Sequence, residues 1–276
     1  MKYLLNVVIK ERQEMKKFGF LGLGKMGSSI LNGILTNKLY DIKDLAFYAP
    51  SDETKKKYQD FGLTLVQDER ELFKVSKIIL MAIKPQIYDE VLEKIKDLDF
   101  SDKIIISLAP GKSINYLESF MKNAKVVRAM PNTPALINQS VTTIAFNGCE
   151  IKEVLDIFSS IGSYLVVNEK QIDEAIPLNG SMPAYVLEFA KTFIECAKSY
   201  GFSEVDAKKL ALNAIIGSCK LALNSSDDID TLINNVCSKG GSTIAGLNEL
   251  RENDFNDAIK KCYDACVKRS KELGNV

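Results

Sequence analysis

The chain has 276 residues, 36 Lys+Arg against 36 Asp+Glu, and no histidine. The missing imidazole excludes Ser-His-Asp and Cys-His nucleophilic systems, imidazole general bases and His-ligated metals, because no other side chain titrates unperturbed between pH 5 and 8. A formal charge of zero argues against a phosphate-neutralising nucleic-acid binder, and 46% hydrophobic with 26% charged residues is ordinary globular composition, sized for two domains.

In chain order, residues 1–14 carry the run Leu4-Leu5-Asn6-Val7-Val8-Ile9, which is too short to span a bilayer and is followed by no cleavage pattern. Met15-Lys16-Lys17 reads as a natural chain start, so 1–14 is taken as an extension. From Lys17 onward, short β-rich runs alternate with amphipathic segments. Phe18 to Leu21, Leu45 to Tyr48, Leu63 to Val66, Ile78 to Ile83, Ile104 to Ile106, Val126-Val127 and Val141 to Phe146 read as strands, and Met26 to Asn37 as a helix. The apolar runs among them suit strands buried on both faces of a parallel, doubly wound sheet. Ligands of such a sheet gather just after the strands. Lys55-Lys56-Lys57, the longest basic run, reads as a solvated helix face.

Gly22-Leu23-Gly24-Lys25-Met26-Gly27 follows the first strand and opens the first helix. Gly22 would permit the turn, Gly24 the approach of a pyrophosphate, and Gly27 the packing of helix on strand. Dinucleotide contacts are therefore expected at Leu21, Gly22, Gly24, Lys25, Met26 and Gly27. The second strand ends in Ala49-Pro50-Ser51 instead of a ribose-binding acid, which favours NADPH with Ser51 as a contact and keeps NADH as the alternative, since Asp52 is adjacent. Ala82-Ile83-Lys84-Pro85 and Leu108-Ala109-Pro110-Gly111 end two further strands sharply at one sheet edge, so Ala82, Ile83, Lys84, Pro85, Ala109 and Pro110 join the expected contacts. Arg128 to Pro134 is read as a third such loop, with Asn132 offering a donor and an acceptor.

From about Ile172 the period becomes helical. Pro183 to Tyr200 has a wide apolar face and Gly201 is placed to end it; Ser203-Glu204-Val205-Asp206 opens a second helix to about Leu223; Asp230 to Val236, Thr243 to Leu250 and Phe255 to Leu273 follow. Such a segment often buries its apolar faces against a second subunit. Asn179 to Tyr185 is a small-residue turn at one helix start, and Cys237-Ser238-Lys239-Gly240-Gly241-Ser242-Thr243 is a glycine- and hydroxyl-rich loop at another. A helix N-terminus of that kind can bind a carboxylate, with Ser238, Gly240, Gly241, Ser242 and Thr243 around it. The competing reading is that Ser242 or Thr243 caps the helix, which needs only one hydroxyl. The six cysteines (Cys149, Cys196, Cys219, Cys237, Cys262, Cys266) contain no Cys-x-x-Cys pair, so no metal site is expected; reduced, buried thiols and a cytoplasmic location are.

Gly-Leu-Gly-Lys-Met-Gly at 22–27, Ala-Ile-Lys-Pro at 82–85, Met-Pro-Asn-Thr-Pro at 130–134, Met-Pro-Ala-Tyr at 182–185 and Val-Cys-Ser-Lys-Gly-Gly-Ser-Thr-Ile-Ala-Gly-Leu at 236–247 together resemble the pyrroline-5-carboxylate reductase family. The resemblance runs from about Met15 to the C-terminus. It implies an α/β Rossmann-type N-terminal domain over 15–168 and an all-α C-terminal domain over 169–276 for dimerisation and substrate binding. It also implies NAD(P)H-dependent reduction of 1-pyrroline-5-carboxylate to L-proline by a homodimer or a ring of dimers, without membrane or nucleic-acid partners. In the family, residues matching Ser242 and Thr243 bind the substrate carboxylate, and the hydroxyl matching Thr243, the expected catalytic residue, lies by the imine nitrogen. Lys239 stands where the family usually has proline, Asn179-Gly180-Ser181-Met182 replaces the commoner Ser-Gly-Ser-Gly, and Glu69 stands near a family asparagine that often touches the cofactor's adenosine end. Two rival readings are a 3-hydroxyacid dehydrogenase, whose mid-chain lysine motif Asn179 to Ala184 does not supply, and a non-catalytic NADP-sensing protein.

Overall fold

The computed structural model describes residues 15–148 and 151–274; the extension 1–14 and Cys149 lie outside the described residues. The described residues form two compact units, one of 15–180 with 270–274 and one of 181–269. In the first, strands and helices alternate as β1 (Lys16–Leu21), α1 (Lys25–Thr36), β2 (Leu45–Tyr48), α2 (Asp52–Asp60), β3 (Thr64–Leu65), α3 (Glu69–Val75), β4 (Ser76–Met81) and α4 (Tyr88–Ile95). They continue as β5 (Ile104–Ser107), α5 (Ile114–Phe120), β6 (Lys125–Met130), β7 (Ser140–Phe146), α6 (Lys152–Ser159), β8 (Gly162–Val166) and α7 (Glu169–Glu174).

The strand order is β3-β2-β1-β4-β5-β6-β7-β8. The chain leaves β1 toward one edge and returns through β4 on its other side, so the topological switch point lies between the ends of β1 and β4, where a doubly wound sheet binds its ligand. Alternate residues of each strand feed opposite faces. Phe18, Phe20, Ile78, Leu80, Ile104 and Ile106 pack under α1 and α6, while Ile79, Met81, Ile105 and Val126 pack under α3, α4 and α5. Burial on both faces explains why these strands read as unbroken apolar runs.

Two expectations need correction. The sheet is not parallel throughout: β7 runs antiparallel to β6, and β8 parallel to β7. Residues 131–139 between β6 and β7 are too few for the crossover that a parallel pair requires, so the chain turns back through a 3-10 turn at Thr133–Ile137. For the same reason Arg128, Ala129 and Met130 are strand and not loop. The second compact unit begins at Ser181, and α7 stays with the sheet unit through ion pairs from Arg128 to Glu169 and Asp173.

The second unit comprises α8 (Met182–Ser199), α9 (Glu204–Asn224), α10 (Ile229–Val236), α11 (Ser242–Glu252) and α12 (Phe255–Gly274) up to Arg269. Gly201, at φ +89°, takes the left-handed position that ends α8, and Ser203 caps α9 by accepting from Asp206 N at 3.1 Å. Ala190 and Ala207 are this unit's buried apolar residues, whereas Leu187, Leu210, Ile216, Leu221 and Val236 stand exposed. The thiols follow suit: Cys196 and Cys219 are exposed and Cys237, Cys262 and Cys266 half-buried, all free, so the expectation of buried thiols fails because this unit alone encloses too little volume.

Candidate functional site

At the switch point, Gly22 has φ +92°, donates N–H to Tyr48 O at 2.9 Å, and sits where a Cβ would come within 2.8 Å of Ala82 O. Only glycine makes this turn without strain. A Cβ on Gly27 would press to 2.5 Å from Gly22 O, so the helix could not lie so close to the turn. Gly24 is different: no heavy atom of the described residues lies within 4 Å of where its Cβ would be. It is also the N-cap of α1 and supplies no side-chain cap, so the amides of Lys25, Met26 and Gly27, which have no intrahelical acceptor, face that open space. A bare helix N-terminus beside a side-chain-free approach fits a pyrophosphate.

Ser51 caps α2, its Oγ accepting from Thr54 N at 3.3 Å, which leaves the hydroxyl proton for an anion. Of the basic run, Lys55 pairs with Asp52 at 3.1 Å and Lys57 lies over the Tyr58 ring. Beyond β4, Ala82 donates N–H to Leu21 O and Lys84 opens a 3-10 turn at Pro85–Ile87, with Ile83 half-buried between them. The neighbouring loop after β5 rests on a relay that sequence reading missed. Ala109 N–H donates to Ser107 Oγ at 3.3 Å, Ser107 Oγ and Tyr88 Oη lie 3.1 Å apart, and the Tyr88 hydroxyl donates to Met81 O at 2.8 Å. Burial pushes the Tyr88 phenol well above its usual range, keeping it a donor. The signal was a tyrosine one turn past Lys84-Pro85 with a serine closing an isoleucine strand.

Asn132 does not play the part expected of its side chain. It is 8% exposed, Nδ2 donates to Asn179 O at 3.1 Å, and Oδ1 accepts from Val141 N at 3.1 Å, so both polar ends brace the β6–β7 turn. Asn179 answers by donating to Met130 O and Thr143 Oγ1, a structural use for the asparagine that departs from the family pattern.

In the helical unit, Gly241 N–H donates to Ser238 O at 3.0 Å and Gly240 has φ +73°, which makes Ser238-Lys239-Gly240-Gly241 a type II turn. Lys239 thus occupies the turn position that proline favours, and its substitution leaves the turn geometry intact. Gly241 caps α11 without a side chain, so neither Ser242 nor Thr243 is the cap. Their amides and hydroxyls are presented at the first turn of α11, as a carboxylate site needs. Thr243 also lines a largely apolar cavity of about 780 Å³ with Phe193, Leu247, Leu250 and Phe255. Nearby in sequence to the other small-residue turn, Ser181 Oγ lies 3.3 Å from Cys266 Sγ, and the Tyr185 phenol is pushed up to about 12 by its hydrogen bond with Cys266 and by burial.

The family model for pyrroline-5-carboxylate reductase dimerisation matches residues 169–273, and the model for coenzyme F420-dependent NADP oxidoreductase matches residues 17–111. The pyrroline-5-carboxylate reductase of Escherichia coli is 32% identical over 264 residues, covering 94% of this chain and 98% of its own. This chain belongs to the pyrroline-5-carboxylate reductase family. Within the family, the enzyme of Methanosarcina acetivorans is 30% identical, with 95% and 99% covered. The NADP-bound crystal structure of the Plasmodium falciparum reductase superposes with a TM-score of 0.85 at 32% identity, covering 95% of this chain and 99% of that one. Outside the family, an imine reductase of Aspergillus terreus shares the fold, at a TM-score of 0.58 and 15% identity. Among the described residues no helix is long and apolar enough to cross a membrane.

Proposed function

We propose that the chain reduces 1-pyrroline-5-carboxylate to L-proline with NADPH, the last step of proline biosynthesis, and that NADH is the weaker donor. The observation that carries this reading is the first turn of α11, where a glycine cap leaves the Ser242 and Thr243 amides and hydroxyls to a ligand. Family membership and the open approach at Gly24 support it from the other unit. Leu21, Gly22, Gly24, Lys25, Met26 and Gly27 would hold the pyrophosphate, Ser51 the adenosine ribose phosphate, and the loops Ala82 to Pro85 and Ala109-Pro110 the nicotinamide half. Asn132 serves as the brace of that edge.

Bound NADPH supplies the hydride. The amides at the start of α11 take the substrate carboxylate, and Ser238, Gly240 and Gly241 shape the turn that presents them. The Thr243 hydroxyl accepts the hydrogen bond of the protonated imine nitrogen and fixes the ring against the hydride donor, so alignment and electrostatics do the catalysis. The imine arrives carrying its proton, and a protein without imidazole has no need to deliver one near neutrality. The apolar wall around Thr243 suits the ring methylenes.

A homodimer, and beyond it a ring of dimers, is part of the same proposal. It is supported by the exposed apolar side chains of the helical unit and by the match to a dimerisation model. A cytoplasmic location rests on the free cysteines. The deciding assay follows NADPH absorbance with pyrroline-5-carboxylate, with a 3-oxoacid and with no substrate. Consumption with the first alone is expected; consumption with the 3-oxoacid, or none at all, overturns the reading. The pH profile should track the imine's own protonation, and an inflection that demands an enzyme group of imidazole-like pKa would count against it.

A further inference from the structure

A second cluster of charge lies in the first unit, behind the loop that follows β5. Arg128 on β6 is 3% exposed, with Nη1 3.2 Å from Glu169 Oε1 and Nη2 3.1 and 3.2 Å from the two oxygens of Asp173. Both carboxylates lie on α7; Asp173 also accepts a backbone amide from the loop after β5, and Glu169 one from the first residue of α5. Gly111 N–H donates to Asp173 Oδ1 at 3.2 Å, and Ile114 N–H to Glu169 Oε1 at 2.6 Å. Ser270 Oγ adds a third donor to Asp173 Oδ1 at 3.3 Å. The loop is held from its other side as well, where buried Lys112 reaches Asp89 at 2.8 Å. Gly111 itself sits at φ +74°, a left-handed conformation open to glycine.

A buried ion cluster is poor value for stability alone, because desolvating the charges offsets most of their attraction. This one is costlier still, since Arg128 Nε is buried and has no hydrogen-bond partner among the described residues. What the cluster does achieve is position: one buried guanidinium offsets the repulsion between two partly exposed carboxylates, leaving one net negative charge, and holds them where they grip the amides of Gly111 and Ile114.

We propose that Arg128 is a positioning residue for the reduction: through Glu169 and Asp173 it fixes the segment from Ala109 to Ile114, and so the surface that Ala109 and Pro110 offer to the nicotinamide half of the dinucleotide. This rests on the assignment of that loop to the cofactor. A merely structural Arg128 would affect every ligand of the unit alike; a positioning Arg128 affects only those that reach the loop after β5.

The test compares wild type, Arg128→Met and Arg128→Lys by calorimetric binding of NADPH and of adenosine 2′,5′-bisphosphate, a fragment confined to the glycine loop and the end of β2. Amide hydrogen exchange at Gly111 and Ile114 is read against Ile79 and Ile105 in the sheet. In Arg128→Met, NADPH should bind about tenfold more weakly with the fragment unchanged, Gly111 and Ile114 should exchange faster with the sheet amides unchanged, and kcat should fall more than KM for the imine rises. Arg128→Lys keeps the charge but not the two-pronged grip, so it should fall between the two, and it carries the comparison alone if the methionine variant does not fold. Equal weakening of both ligands, or unchanged NADPH binding and Gly111 exchange, overturns the proposal. Wild type that fails to bind NADPH overturns the cofactor assignment and this proposal with it, whereas failure confined to the variants overturns this proposal alone.

Discussion

The two units solve the problem of burial in opposite ways. The sheet unit is wrapped on both faces and encloses Phe18, Phe20, Ile79, Ile105 and many others completely. The helical unit leaves Leu221 60% and Leu223 86% exposed and buries two alanines. One half of the chain has filled its own core, and the other has left its apolar side chains open. The difference teaches that apolar periodicity alone does not say where an apolar face is buried, whether in its own fold or in a second copy.

The comparison can be broken most directly at the open face. Leu221→Asp should give a species of monomer mass in sedimentation at micromolar concentration, since an unpaired charge in a closed interface costs several kcal/mol (about 2–5), while NADPH binding survives. A dimer of unchanged stability would show that the exposed face is not the interface. At the ligand end of the same unit, Thr243→Ala should lower kcat about a hundredfold with NADPH affinity unchanged; full turnover would remove Thr243 from the mechanism.

The glycine loop offers a sharper contrast within the sheet unit. Gly24→Ala should weaken NADPH binding by about 1–3 kcal/mol with little change in Tm, because the added methyl meets no heavy atom of the described residues. Gly22→Ala should lower Tm as well, by strain worth about 1–3 kcal/mol, because its Cβ meets Ala82 O at φ +92°. Equal effects of the two on melting would refute the separate roles. The smallest effect is expected at Ser51→Ala, which removes the α2 cap at about 1 kcal/mol and should reduce the preference for NADPH over NADH several-fold in competition assays.

Much of this was legible in the residues. The glycine loop could be placed because strand, turn and helix each leave local marks, and the signature loop because its glycines and hydroxyls cluster at one helix start. What could not be read was any pairing made at long range. The reversal of β7 depends on how few residues follow Met130, and Asn132 looked like a ligand contact until Asn179 and Val141 took up its side chain. Arg128 stood in an apparent loop, whereas a buried strand position opposite two acids of α7 gives it its role.

By itself the sequence determined the local matters: which segments are strand or helix, where turns need glycine, that imidazole chemistry is absent, and which family motifs recur. These follow from backbone sterics, periodicity and side-chain chemistry, which act over a few residues. The tertiary structure alone decided that Ser242 and Thr243 are relieved of capping by Gly241, that Asn132 is a brace, and that Arg128 gathers Glu169 and Asp173 under the loop after β5. Those outcomes depend on which distant groups meet in a space with little water, where each buried donor or acceptor must find its partner.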